Sequence, residues 1–134
     1  MNNDIRWKQR FQNFERAYLL LSEVAGKDIN SFSQLEQEGI VQRFEILIEL
    51  SWKVLKDYLE NQGYDDVKNA KKAIRQAFQD ELITKAETWM SALQLRNLTS
   101  HTYDEEILKE TVTFVTNDFY PIVRDLYTKL KEEL

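Results

Sequence analysis

Three side chains able to do phosphate chemistry lie within one short stretch, Arg96-Asn97-Leu98-Thr99-Ser100-His101-Thr102-Tyr103. An imidazole gives or takes a proton near neutral pH, and a guanidinium holds a phosphate through paired hydrogen bonds. His101 is the only histidine of the chain. On an α-helix five residues turn through about 140°, so Arg96 and His101 do not share a face. Tyr103, seven residues on, falls nearly in line with Arg96 if the helix continues. One helix therefore holds Arg96 and His101 apart unless it unwinds. Two copies meeting across a two-fold axis would bring an arginine of one chain to a histidine of the other. The plainer reading is a capping histidine beside a surface arginine.

A second group follows i, i+3, i+4 steps: Gln42, Glu45, Glu49, Lys53 and Lys56. Glu49 four residues before Lys53 is the favourable ion-pair order, while Glu45 and Glu49 repel. The bland reading is a solvated face. The sharper one is that Glu45 or Glu49 fixes an arginine such as Arg96. Lys68, Lys71, Lys72 and Arg75 make a basic patch, read as a solvated face or as a docking surface for RNA phosphates or an acidic partner.

Other chemistries are excluded. The chain has no Cys, so disulfides, thiolate zinc sites and cysteine nucleophiles are absent. A single His rules out a multi-histidine metal centre, and no metal is expected. Gly26, Gly39 and Gly63 are the only glycines, too few and too scattered for a glycine-rich phosphate cradle. A Gly-Ser turn followed by Asp-x-Asp, the metal-holding pattern of a nucleotidyltransferase catalytic centre, does not occur.

The elements that position these residues are helices. With three Gly and one Pro in 134 residues, the chain lacks the turn residues that sheets demand. Trp7, Phe11, Phe14, Tyr18, Leu21 and Ala25 form one face of a helix over about 4–24, which Gly26 stops. Ser33-Gln34-Leu35-Glu36 fits a capping box opening a second helix, with Gly39 a weak spot. Ile40, Phe44, Leu47, Ile48, Leu55, Tyr58 and Leu59 form its apolar face to about Asn61, and Ile46, Leu50, Trp52 and Val54 widen it. Asp65 or Asp66 is expected to cap a short third helix carrying Val67, Ala70, Ile74, Ala77 and Phe78. Thr84-Lys85-Ala86-Glu87 matches a second capping box. That fourth helix turns Ala86, Trp89, Met90, Leu93 and Leu98 inward and reaches Ser100 or His101. Asp104 caps the last helix, where Leu108, Val112, Val115, Phe119, Ile122, Leu126 and Leu130 recur at helical spacing and Pro121 imposes a kink. The expectation is all-α: an antiparallel up-and-down four-helix bundle with one additional short helix, a single domain over 1–134. Trp7, Trp52 and Trp89 are read as core.

The net charge of −5 argues against broad, non-specific nucleic-acid binding. The polar opening Met1-Asn2-Asn3-Asp4 resembles no secretory leader, and no apolar run approaches the roughly 18 residues of a membrane helix. A cytoplasmic protein without a membrane or DNA partner is expected.

The segment Arg96-Asn97-x-x-x-His101-x-Tyr103 resembles the Arg-x4-His-x-Tyr signature of HEPN-domain proteins (higher eukaryotes and prokaryotes nucleotide-binding). The blocks Gly39-Ile40-Val41-Gln42-Arg43-Phe44-Glu45, Glu49-Leu50-x-Trp52-Lys53-x-Leu55-Lys56 and Ile74-Arg75-x-Ala77-Phe78, with Trp89 ahead of the signature, are similar to the branch that pairs with a minimal nucleotidyltransferase. Members of that branch are called nucleotidyltransferase substrate-binding proteins or HEPN toxins. The resemblance implies a homodimer with both signatures at its interface and a complex with the nucleotidyltransferase. It implies a metal-independent ribonuclease where the family is active. His101 would then be the general base or acid, Arg96 would stabilise charge at phosphorus, and Asn97 would orient one of them. Tyr103 would accept adenylate from the partner, which silences the toxin. No cofactor is required, and a nucleotide ligand is compatible. The alternative it carries is a non-catalytic subunit that binds a nucleotide or substrate for the nucleotidyltransferase. A helical interaction module without a site is the third reading.

Overall fold

The computed structural model describes residues 2–98 and 103–134. Among them five helices follow in chain order: α1 (Asn3–Ser22), α2 (Gln34–Asn61), α3 (Ala70–Gln79), α4 (Ala86–Leu98), and a last helix made of α5 (Glu105–Phe114), a π turn (Val115–Phe119) and α6 (Tyr120–Glu132). A 3-10 turn at Ile29–Ser31 precedes α2. Among the described residues there is no strand. The expected all-α bundle with one extra short helix, α3, is the fold observed.

α2 is the central element because its apolar surface is the widest. Phe44, Leu47, Ile48, Val54, Leu55 and Leu59 lose essentially all contact with solvent. The aromatic stripe of α1 packs on it: Trp7 meets Tyr58 edge-on at 5.0 Å between ring centres. Phe119 of the π turn sits edge-on to both Phe44, at 4.9 Å, and Trp89, at 5.8 Å. These contacts tie α2, α4 and the last helix into one core. Each expected apolar position of the last helix, from Leu108 to Leu130, is buried.

The Ser33 capping box forms as expected, with Ser33 Oγ accepting from Glu36 N–H at 3.1 Å and Glu36 accepting from Ser33 N–H at 2.8 Å. Gly39 does not interrupt the helix. The cap of α3 differs from expectation. Asn69, not Asp65 or Asp66, accepts from Lys72 N–H at 2.9 Å. Asp66 is instead an ion-pair partner of Lys72. At the start of α4 the cap position falls to Lys85, one residue after Thr84. Lys85 has φ 56, and its carbonyl accepts from Thr88 and Trp89. The residue directly before α4 thus has left-handed backbone instead of the extended backbone a capping box needs.

Pro121 acts through the π turn. A proline inside a helix leaves the carbonyl four residues earlier without its donor. Here Tyr120 N–H reaches back five residues to the Val115 carbonyl, and Pro121 then falls in the first turn of α6, where its ring is tolerated. The wider turn keeps Val115 and Phe119 on the core side.

Four apolar residues assigned to the core leave it. Ile46 on α2, Phe78 on α3 and Leu98 on α4 are about half exposed, and Trp52 is only partly buried. Each lies off its helix's main stripe, facing surface that a single chain leaves uncovered.

Candidate functional site

Arg96 stands in the last turn of α4, where a cation also meets the negative end of the helix dipole. Its Nη1 lies 3.8 Å from Glu45 Oε2 on α2. Both side chains keep about a third of their exposure or more, 39% and 34%. A surface pair of this length contributes about 0–1 kcal/mol to stability. Its consequence is positional: the guanidinium is held over the α2 side of α4 yet stays accessible. Of the two acids expected to fix this arginine, Glu45 does so. Glu49 accepts instead from Trp52 Nε1 at 3.0 Å, and Lys53 Nζ lies 6.0 Å from the Trp52 ring centre. The favourable Glu49–Lys53 order on the helix thus does not become an ion pair.

Asn97, the next residue, turns to another side of α4. It lines a groove of about 730 Å³ between α3 and α4, together with Lys71, Arg75, Met90, Leu93 and Gln94. Tyr103 stands one residue ahead of the cap of α5, and 79% of its surface is open to solvent. The cap itself is the expected one: Asp104 accepts from Glu106 N–H at 2.9 Å and Ile107 N–H at 3.2 Å. His101 lies outside the described residues. Arg96, Asn97 and Tyr103 therefore flank it in the chain, where α4 finishes and α5 begins.

Beside this end lies a second groove, about 420 Å³, between α4 and α5. Leu95, Leu98, Ile107 and Phe114 make it mainly apolar. Ile107 escaped the sequence reading because it stands one residue off the buried stripe that starts at Leu108. The ion pair of Arg10 Nε with the buried Asp57 Oδ2, at 2.9 Å, also escaped it. Nothing in the local pattern links residues on different helices. Among the described residues no cluster of His, Cys, Asp or Glu could hold a metal ion, and no helix is long and apolar enough to cross a membrane.

A family model described as nucleotidyltransferase substrate binding protein like matches residues 9–132. This chain belongs to that family. The chain is similar to the probable ribonuclease HepT of Haemophilus influenzae, at 38% identity over 72 residues. That stretch takes in 51% of this chain and 49% of the relative, so the match spans about half of the curated protein. Two solved structures share the fold over most of their length. The protein ttk003001694 from Thermus thermophilus has a TM-score of 0.76 and 30% identity, covering 88% of this chain and 98% of its own. The Haemophilus influenzae protein HI0074, described as revealing the fold of a substrate binding domain of a nucleotidyltransferase, has a TM-score of 0.69 and 26% identity, covering 97% and 99%.

Proposed function

We propose that this protein is the HEPN subunit of a two-component toxin–antitoxin pair. In this reading it is a homodimer that binds a minimal nucleotidyltransferase and cleaves RNA without a metal. The observation that carries the reading is that Arg96 and Asn97 at the end of α4 and Tyr103 just ahead of α5 flank His101 in the chain, with Arg96 paired to Glu45. Similarity, over about half its length, to a protein named as a probable ribonuclease supports the same chemistry.

In the proposed reaction the ribose 2′-hydroxyl attacks the adjacent phosphorus. The P–O5′ bond breaks, leaving a 2′,3′-cyclic phosphate and a 5′-hydroxyl. His101 takes the 2′-hydroxyl proton or returns one to the departing O5′. Arg96 offsets the charge that grows on the non-bridging oxygens, and Asn97 orients one of these groups. Tyr103, open to solvent, is the acceptor for adenylate from the partner. The tyrosine oxygen attacks the α-phosphorus of a nucleoside triphosphate and pyrophosphate departs. The added phosphate charge beside Arg96 neutralises the site.

The test is RNA cleavage in EDTA by the purified wild type beside His101→Ala. The expected result is cleavage by the wild type and its loss, on the order of 100-fold or more, in the variant. Equal activity of the two would remove His101 from the reaction. Absence of cleavage by both, with Tyr103 unmodified, would favour the second reading: a non-catalytic subunit holding a nucleotide or substrate for its nucleotidyltransferase. That alternative draws on the acidic charge of −5 and on the description attached to HI0074.

A further inference from the structure

The four cations of the basic patch divide into two kinds. Lys68 Nζ is 2.7 Å from Glu60 Oε2, and Lys72 Nζ is 2.8 Å from Asp66 Oδ1. Lys71 and Arg75 form no ion pair among the described residues. They stand four positions apart on α3, on the side that lines the α3–α4 groove. Two like charges at this spacing repel and destabilise a helix slightly. In a chain of net charge −5, the nearby acids go to their neighbours and leave these two cations to the groove.

The rest of the groove has a matching character. Met90 and Leu93 of α4 make an apolar floor, and the amides of Gln94 and Asn97 border it. Glu87 is the one carboxylate of the lining. The volume, about 730 Å³, is in the range that holds a nucleotide-sized ligand. Cations to carry phosphates and amides able to pair with a base edge are two components of a single-strand binding track; Met90 and Leu93 stand here where aromatic rings usually stack the bases. Asn97 is shared between this groove and the proposed cleavage site.

We infer that the α3–α4 groove is a binding track for single-stranded RNA, with Lys71 and Arg75 holding successive phosphates of the strand and Asn97 joining the track to the site at the end of α4. An acidic protein surface would also be drawn to two cations. The strand is favoured because the groove runs to Asn97, next to Arg96 in the last turn of α4, where the proposed cleavage site lies. The inference rests on the ribonuclease reading for the identity of the strand, but its residues and its test are its own.

Binding of a short, uncleavable 2′-O-methyl oligonucleotide is measured against salt for the wild type, Lys71→Gln/Arg75→Gln and Lys68→Gln/Lys72→Gln. Each phosphate contact on a single strand contributes about 0.7 to the slope of log K against log salt. The groove variant is expected to lose about 1.4 from that slope, a deficit that grows roughly 25-fold between about 1 M and 0.1 M salt. The variant of the two paired lysines keeps the wild-type slope. Glu87→Gln shifts affinity in the opposite direction, towards tighter binding. Equal losses in both double variants would reduce the effect to general surface charge and overturn the track. An unchanged slope in the groove variant would also overturn it. With cleavage still dependent on His101, the ribonuclease reading would survive that result. Release of an acidic partner protein by the groove variant, with RNA binding unaltered, would assign the cations to that protein instead. Failure of the wild type to bind or cleave RNA would remove both readings. Binding without cleavage, with the expected slope change, would keep the track and remove the nuclease.

Discussion

Glu60 is nearly enclosed at the end of α2, where Lys68 Nζ at 2.7 Å and Lys56 Nζ at 3.4 Å reach it. The hydrogen bond from Lys68 holds its carboxyl below the usual glutamate range; burial opposes this, and Lys56 adds to the lowering. A carboxyl whose folded value lies below its unfolded one binds more protons in the unfolded chain across that interval. Its contribution is therefore full above the unfolded value and is lost as pH falls through the folded one. Urea titrations across the acid range are expected to show this loss in the wild type and a shallower one in Lys68→Gln. An identical pH profile for the two would remove Lys68 as the cause. Local spacing assigned Lys68 only to a basic patch. Its partner is set by the reversal of the chain between α2 and α3, where Gly63 adopts φ 104. By contrast Arg96, Asn97 and Tyr103 stand out by their closeness in the chain and by the resemblance to the HEPN signature.

Helix starts and stops depend on short-range backbone bonding, and most were readable. The Ser33 box and the Asp104 cap are where their residue types put them. The misses have local causes too. Asn69 competes with two upstream aspartates and wins because it stands directly before the first helical residue. Pro121 calls for a helical adjustment, and a π turn supplies one without moving Phe119 out of the core. Gly39 is the element-scale opportunity. It lies within continuous α2 helix, and a Cβ added there meets nothing within 4 Å. Gly39→Ala is expected to stabilise the protein by about 0.5–1 kcal/mol, since alanine loses less backbone freedom in a helix. Denaturant unfolding at neutral pH measures it. A destabilised variant would mean that the surface beside Gly39 is occupied in the native assembly.

For the whole molecule, uncovered apolar surface lies close to the signature. Leu98 is 50% exposed and Ile107 39%, and both line the α4–α5 groove. Their position suits the proposed homodimer, in which two signature segments face each other. The double change Leu98→Glu/Ile107→Glu places carboxylates from both copies in the apolar centre of that interface. Sedimentation is expected to show monomer in place of dimer, and RNA cleavage is expected to fall with it. A dimer that persists in the variant would move the interface elsewhere on the bundle. Circular dichroism distinguishes dissociation from unfolding, since neither side chain belongs to the buried core.

The helical class and the apolar faces of α1, α2 and the last helix follow from the order of residues alone, as do the residue types near the signature that suit a phosphate. These depend on periodicity and on residue chemistry, which are properties of neighbours along the chain. That Arg96 pairs with Glu45 and not Glu49 comes from packing between helices. Packing also decided that Asp57 is buried against Arg10, and that Lys71 and Arg75 face a groove while Lys68 and Lys72 are paired. The physical reason is the same in each case. A charge's partner is chosen by what packing brings within a few ångströms, and helices α1 to α4 set those distances through contacts between residues far apart in the chain.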